Sequence, residues 1–219
     1  MKNVLALIGV IMLTSGCAQT AYWTLTDDVN NVVKSNSFEM TVPEGWVRTT
    51  QADTWERIEI DGEPRTILLE AMTVTRDGTG IHAITVTRRY ADNAFPTIKK
   101  KSAATMMPLE AADLYVSELR KRGGLERLKV LSNKPAKVND KQAFQLVMQY
   151  KNDDGLRIRI MSYGFVDKTG FYTINYRAPY LHYYERDHKE FSELVQSFKQ
   201  LKGAFDPPPQ IPGWAKMFT

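Results

Sequence analysis

Residues 156–177 of the chain read LRIRIMSYGFVDKTGFYTINYR, and this stretch specifies the centre of the fold. Polar and apolar residues alternate on both sides of the DKTG segment, as in strands whose successive side chains point to opposite faces. In the first half, Arg157 and Arg159 share one face, and Ile158 and Ile160 share the other. A short polar loop that ends in glycine between two such runs is typical of a β-hairpin. We therefore predict paired antiparallel strands at 156–166 and 171–177.

The segments around this hairpin continue the same pattern. A run at 142–150 precedes a second hairpin loop, Asn152-Asp153-Asp154-Gly155, and a shorter run lies at 128–131. Further upstream, the alternation and the turn residues predict strands at 38–42, 55–60, 67–76 and 81–89. The turn Pro43-Glu44-Gly45 leads into Trp46, which we expect to be buried. The sequence thus predicts a sheet that is mostly antiparallel.

Two segments change to the helical period. The first begins at Pro108 and ends at Gly123-Gly124, and its apolar positions are Leu109, Ala112, Val116 and Leu119. The second begins at Asp187, which with Glu190 has the pattern of a capping box. Its apolar stripe consists of Phe191, Leu194, Val195, Phe198 and Leu201. We predict an amphipathic helix for each.

The order of these segments resembles a known family. The opening phrase 38–46 ends in Val42-Pro43-Glu44-Gly45-Trp46, the last strand reads Tyr172-Thr173-Ile174-Asn175-Tyr176-Arg177-Ala178-Pro179, and the last helix closes on Val195-Gln196-Ser197-Phe198. Together they resemble the PsbP-like fold over about residues 38 to 201, including its DcrB-type bacterial lipoproteins. The resemblance implies an α+β domain with a central antiparallel sheet and flanking helices. It also implies an accessory or binding protein without family catalytic residues, since a fold alone does not define an activity.

The first residues have the pattern of an exported bacterial lipoprotein. One lysine precedes the apolar run Val4–Leu13, and small residues then lead to Cys17, the single cysteine. As a helix this run would span about 15 Å, far less than the roughly 30 Å core of a bilayer. Leu13-Thr14-Ser15-Gly16-Cys17 resembles the bacterial lipobox, although Thr14 stands where Leu, Val or Ile is usual. The resemblance implies a lipid on Cys17, and Ala18 after it favours outer-membrane sorting with the domain facing the periplasm.

Composition describes the rest of the chain as ordinary globular protein. Of 219 residues, 43% are hydrophobic and 25% are charged, which excludes a disordered chain and a polytopic membrane protein. A formal charge of +4 is too small to indicate a nucleic-acid partner. We divide the chain into a signal peptide (1–16), a lipidated N-terminus and tether with one short ordered piece (17–37), the α+β domain (38–202) and a Pro-rich tail (203–219).

Three groups of residues are candidate ligand or partner contacts. Trp46, Tyr172 and Tyr176 would line a pocket between the sheet and one helix. Lys99-Lys100-Lys101 would form a basic patch that attracts anionic head groups. In the tail, the extended Pro207-Pro208-Pro209 precedes Trp214 and Phe218, which would dock on the domain or on another protein.

No residue pattern indicates catalysis or a metal site. The chain has no Gly-x-Ser-x-Gly motif and no cysteine besides the one predicted to carry a lipid. We interpret His82 as a histidine on the surface or on a sheet face. His182 and His188 lack the spacing of a metal site, and Asp187 is assigned to helix capping. We therefore expect no metal, no cofactor and no enzymatic activity.

Two function classes remain open. The first is a membrane-anchored accessory protein that binds an envelope protein, and the second is a carrier of a small apolar ligand or lipid. A continuous apolar cavity would favour the carrier, whereas a flat apolar or basic patch would favour the accessory protein. Histidine and acidic side chains that cluster in a cleft would favour an enzyme.

The lipid anchor gives a direct prediction. The substitution Cys17→Ser should remove the acyl mass and release the protein from membranes, because the thiol is the predicted attachment atom and multiple acyl chains are what hold such a protein. Intact-mass measurement and membrane fractionation test both effects. A wild-type chain that stays in the membrane fraction without acyl mass would contradict the prediction.

Overall fold

The computed structural model describes residues 23–25, 31–35, 37–49, 53–60, 63–122, 125 and 127–201. The predicted signal peptide, Cys17 and the tail with Trp214 and Phe218 lie outside the described residues.

The strands are β1 (Trp23–Leu25), β2 (Val32–Lys34), β3 (Phe38–Thr41), β4 (Val47–Thr49), β5 (Asp53–Ile60), β6 (Glu63–Thr75), β7 (Ala83–Tyr90), β8 (Lys129–Val138), β9 (Lys141–Lys151), β10 (Arg157–Asp167), β11 (Gly170–Pro179) and β12 (Lys199–Gln200). A short π-helical turn (Tyr180–Tyr184) precedes α2, and the helices are α1 (Pro108–Lys121) and α2 (Glu185–Ser197). Neither is long and apolar enough to span a bilayer, among the residues described.

The strands form one large and one small antiparallel sheet. The large sheet has the order β1-β4-β6-β7-β11-β10-β9-β8, and β5 pairs with β6. The small sheet has the order β12-β3-β2. The predicted hairpin forms the middle of the large sheet, where β10 and β11 pair without a break from Ile158 opposite Pro179 to Asp167 opposite Gly170. The predicted α+β class with a central antiparallel sheet is confirmed.

The two faces of the large sheet are covered by different elements. On one face, α1 packs against β8, β9 and β10 over a core that includes Phe144, Leu146 and Phe171. On the other face, α2 and the small sheet cover a second core, which includes Phe38, Trp46, Tyr172, Tyr176 and Phe191. Trp46 is fully buried, as predicted. Because the side chains of a strand alternate, one strand supplies both cores.

Local signals explain where the helices begin. Pro108 occupies the first turn of α1, where its missing N–H has no partner to lose, and the Glu110 carboxylate accepts the Met107 N–H at 2.9 Å. However, Leu109 is exposed, and the buried face of α1 instead includes Ala111, Ala112 and Leu114. The predicted apolar stripe was therefore wrong at its first position.

The ends of the domain differ from the prediction. Helix α2 begins at Glu185, two residues before the predicted cap, and it ends at Ser197 because Phe198 takes an extended conformation. Leu201 follows β12 and is not helical. At the other end, β1 and β2 lie in the stretch predicted as a tether with one ordered piece, and Val33 is buried in the core. The folded part thus begins before residue 38.

Gly164 is a position of the large sheet that has no room for a side chain. A Cβ atom at this position would lie 2.3 Å from the Phe144 ring and 2.9 Å from the Tyr172 carbonyl oxygen. Such distances are far below van der Waals contact. Phe144 occupies the space above the glycine and belongs to the core under α1.

The substitution Gly164→Ala should therefore destabilise the domain by about 1–3 kcal/mol, because the ring and the backbone must both move. Gly80→Ala is the matched control, since a Cβ there meets no atom within 4 Å. Urea unfolding monitored by circular dichroism measures both. Equal free energies of unfolding for the two variants would show that the β9–β10 contact relaxes without cost.

Candidate functional site

A cavity of about 410 Å³ lies beside α1 over the large sheet. Its volume falls in the range of small-molecule sites, about 300–1,000 Å³. Strands β7 and β11 contribute its floor, and α1 with the residues after it contributes a wall. Its apolar lining consists of Leu69, Phe95, Leu119, Leu125, Ile160 and Phe171.

The floor carries four polar side chains in two cross-strand pairs. Thr87 lies opposite Thr173, and Thr85 lies opposite Asn175. The two hydroxyl oxygens of the first pair are 2.7 Å apart, and the Asn175 amide donates to the Thr173 hydroxyl at 3.1 Å. Threonine is favoured in strands, so the sheet keeps its regular pairing while it offers hydroxyl groups. Three of the four side chains are thus joined in one hydrogen-bonded network.

Tyr115 joins α1 to this floor. Its hydroxyl donates to the Asn175 side-chain oxygen at 3.1 Å, and its ring lies 6.0 Å from the Phe171 ring and 6.3 Å from the Phe144 ring. Burial raises the pKa of Tyr115 to about 12. The phenol therefore remains a neutral hydrogen-bond donor at physiological pH and holds α1 at a fixed height above β11.

Charged side chains complete the lining: Arg89, Glu118, Arg122 and Arg177. Arg89 is buried, donates to the Ala94 carbonyl oxygen at 3.3 Å and lies over the Phe95 ring. Burial lowers the pKa of Arg89 to about 10, so the group is still a cation at neutral pH. Glu118 is also buried, and its carboxylate accepts the N–H groups of Thr97 and Ile98 at 3.1 Å.

The residues predicted to line a pocket are elsewhere. Trp46, Tyr172 and Tyr176 have no exposed surface and belong to the core on the opposite face of the sheet. That prediction of lining residues was wrong because large aromatic residues on a two-sided sheet usually fill the core. Lys99, Lys100 and Lys101 are exposed on the loop between β7 and α1, the loop that also carries Phe95. Trp214 and Phe218 lie outside the described residues.

The sequence does contain a signal for this cavity. Thr85 and Thr87 on β7, and Thr173 and Asn175 on β11, are polar residues at alternate positions of central strands. A sheet that is covered on both faces normally has apolar residues at such positions. Four of them side by side indicate a place where the cover is incomplete.

A second constellation surrounds His82, which we predicted to lie on the surface or on a sheet face and which is fully buried. The imidazole lies 5.1 Å from the Trp46 ring, 6.0 Å from the Tyr183 ring and 6.2 Å from the Tyr176 ring. Within the described part of the chain, neither ring nitrogen has a hydrogen-bond partner. Because the ring has no surface, a substrate cannot reach it in this conformation.

Asp187 lies beside the His82 imidazole and balances the charge of Arg186, and it does not serve as the predicted helix cap. Its carboxylate is buried and accepts two hydrogen bonds from the Arg186 guanidinium, both at 2.7 Å. The nearest ring nitrogen of His82 is 3.6 Å from Asp187 and the other is 3.7 Å from Asp77. Arg76 lies 3.4 Å from Asp187. The described residues contain no group of three or more His, Cys, Asp or Glu side chains arranged for a metal ion.

The His82 environment has a defined pH dependence. Burial lowers the pKa of His82 below its ordinary value of 6.5, although Asp187 and Asp77 oppose the shift. The unfolded chain therefore binds this proton more tightly than the folded one. Stability should be fully present above pH 6.5 and fall as the pH drops through 6.5 toward the lowered pKa, with a slope of at most about 1.4 kcal/mol per pH unit.

Urea unfolding of the wild type and of His82→Gln between pH 7.5 and pH 5 tests this origin of acid sensitivity. The variant should show a flatter dependence because it has no proton to gain at this site. The pKa of Asp77 is lowered below its ordinary value of 3.8, so this carboxyl group titrates outside the pH range of the experiment. Parallel curves for the two folded proteins would exclude His82 as the cause.

No protein-family model matches the sequence, and no curated protein sequence matches it. Solved structures are similar to it. CyanoP, the cyanobacterial PsbP of Synechocystis sp. PCC 6803, covers 85% of this chain and 96% of its own at 9% identity and a TM-score of 0.49. The Ran-binding protein Mog1p of Saccharomyces cerevisiae matches 80% of this chain and 96% of its own length, at 13% identity and a TM-score of 0.43. LpqN of Mycobacterium tuberculosis, which is involved in cell envelope biogenesis, matches 81% of this chain and 90% of its own length, at 10% identity and a TM-score of 0.33. The similar structures thus include a PsbP protein.

Proposed function

We propose that the chain is a lipid-anchored protein of the cell envelope whose domain binds a small, partly apolar molecule in the cavity beside α1. The observation that carries the proposal is the cavity itself, with about 410 Å³ of space between apolar walls and a hydrogen-bonded floor. A cavity of this kind favours the carrier over an accessory protein that acts through a flat patch.

The lining favours binding over catalysis. Among its described residues, the single carboxylate is that of Glu118, which already accepts two backbone N–H groups. The Thr87 and Thr173 hydroxyls bond to each other, and no histidine or cysteine lines the cavity to activate them. The buried His82 belongs to the other face of the sheet. The groups that could move a proton are therefore engaged or remote.

The proposed location follows from the N-terminal sequence. A lipid on Cys17 would hold the domain at a membrane, and Ala18 favours the outer membrane with the domain in the periplasm. The three exposed lysines at 99–101 support this setting, because each could add about 1 kcal/mol of attraction toward anionic head groups.

An accessory role through a protein partner is the second candidate. Two neighbouring apolar side chains are exposed at the start of α1, namely Met107 at 65% and Leu109 at 42%. Together they form a small apolar surface of the kind that partner proteins cover. This role and the ligand-binding role are compatible, because the two surfaces belong to different parts of α1.

The neutral fluorophore N-phenyl-1-naphthylamine tests the ligand-binding role. The wild-type chain should increase its fluorescence with a saturable, one-site curve. Leu119→Trp should weaken this binding at least about tenfold, because the larger ring fills space that the probe needs. Leu109→Trp on the exposed face of the same helix is the matched control and should bind like the wild type.

A wild-type chain that does not bind the probe, or a Leu119→Trp variant that binds it as tightly as Leu109→Trp, would contradict the proposed use of the cavity. Circular dichroism of both variants verifies that they are folded.

A further inference from the structure

The charges that line the cavity are unequal. Three guanidinium groups face one carboxylate, so the lining has an excess of two positive charges. The Glu118 carboxylate also accepts the N–H groups of Thr97 and Ile98. A low-dielectric cleft of one sign concentrates ligands of the opposite sign.

Arg177 is the guanidinium best prepared for an anion. Its Nε donates to the Tyr150 hydroxyl at 2.8 Å, and this bond fixes the plane of the group. Among the described residues, no carboxylate lies within ion-pairing distance of Arg177, and its two terminal nitrogens donate no other hydrogen bond. Two adjacent terminal nitrogens match the two oxygens of a carboxylate or phosphate group.

The cavity extends along the strands away from this group. Arg177 lies opposite Ala83, and Phe171 lies opposite Arg89, six residues farther along both strands, which is about 20 Å at 3.3 Å per residue. Leu119 and Phe171 lie in the same lining. The Thr87, Thr173 and Asn175 side chains already bond to one another, so an apolar chain that lies over them leaves these three groups paired.

We infer that the ligand is a single-chain amphiphile with an anionic head group, whose head group pairs with Arg177 and whose apolar chain lies over β7 and β11 beside α1. This inference rests on the proposed ligand-binding function and specifies its ligand class. A fatty acid and a lysophospholipid share the required chemistry of one apolar chain and one anionic group. The lysines at 99–101, on the loop that carries Phe95, place further positive charge near the same wall.

Displacement of N-phenyl-1-naphthylamine tests the ligand class on the complete chain with Cys17→Ser, purified without detergent. Dodecanoate and dodecanol have the same chain length and differ in head-group charge. Dodecanoate should displace the probe at least about tenfold more effectively than dodecanol, since a charge-assisted bond to Arg177 is available to the acid alone. Lauroyl lysophosphatidylglycerol is the third competitor. If it displaces the probe at a lower concentration than dodecanoate does, the ligand is a lysophospholipid, and if dodecanoate does so, the ligand is a fatty acid.

Substitutions then locate the head group. Arg177→Gln should weaken dodecanoate at least about tenfold and leave dodecanol unchanged, and Arg177→Lys should restore part of the loss. Arg120→Gln removes the same charge from an exposed position of α1 outside the lining and should leave both affinities unchanged.

Equal affinities for dodecanoate and dodecanol, or an Arg177→Gln variant that binds dodecanoate like the wild type, would overturn the inference while probe binding and the proposed function stand. If the folded wild-type chain binds neither the probe nor any of the three amphiphiles, the proposed function fails together with the inference.

Discussion

The register of β11 between β7 and β10 is the constraint on which both faces of the domain depend. Its odd-numbered residues from Phe171 to Arg177 supply the core and the cavity on the α1 side, and Tyr172, Ile174 and Tyr176 supply the core under α2. A slip by one residue would exchange the two sets. The tight Lys168-Thr169 turn and the Thr87–Thr173 hydroxyl contact across the neighbouring strand pair fix this register.

The two faces treat polar groups in opposite ways. On the α2 side, the charges around His82 are paired within a few ångströms, and the aromatic rings exclude water from the imidazole. On the α1 side, the helix covers β8 to β10 and leaves part of β7 and β11 uncovered. The first arrangement leaves the imidazole no surface to offer. The second offers hydroxyl, apolar and guanidinium groups to a molecule from outside.

Most of the long strands were predictable because the alternation of polar and apolar residues is a local property and turn residues mark its ends, although β8 was predicted only at 128–131 and extends to Val138. The segments at 142–150, 156–166 and 171–177 each became one strand with small changes at the ends. Short strands such as β2 and β12 were missed, since three or two residues carry no period and depend on pairing with β3. The burial of His82 was missed for a similar reason, because its cover comes from Trp46 and Tyr183, which are distant along the chain. The cavity depends on where α1 packs on the sheet, and that position could not be predicted from the sequence of α1.

The position of β1 would limit how far the domain can lie from a lipid on Cys17. Trp23 pairs with Thr49 at the edge of the large sheet, only six residues after Cys17. Fully extended, six residues span about 20 Å at roughly 3.5 Å each, so a lipid on Cys17 would keep the domain within about that distance of the membrane surface. A protein held in this way samples the head groups of its own leaflet and could not carry a cargo across to a facing membrane. With such an anchor, the proposed binding cavity would take up or return molecules at one membrane surface.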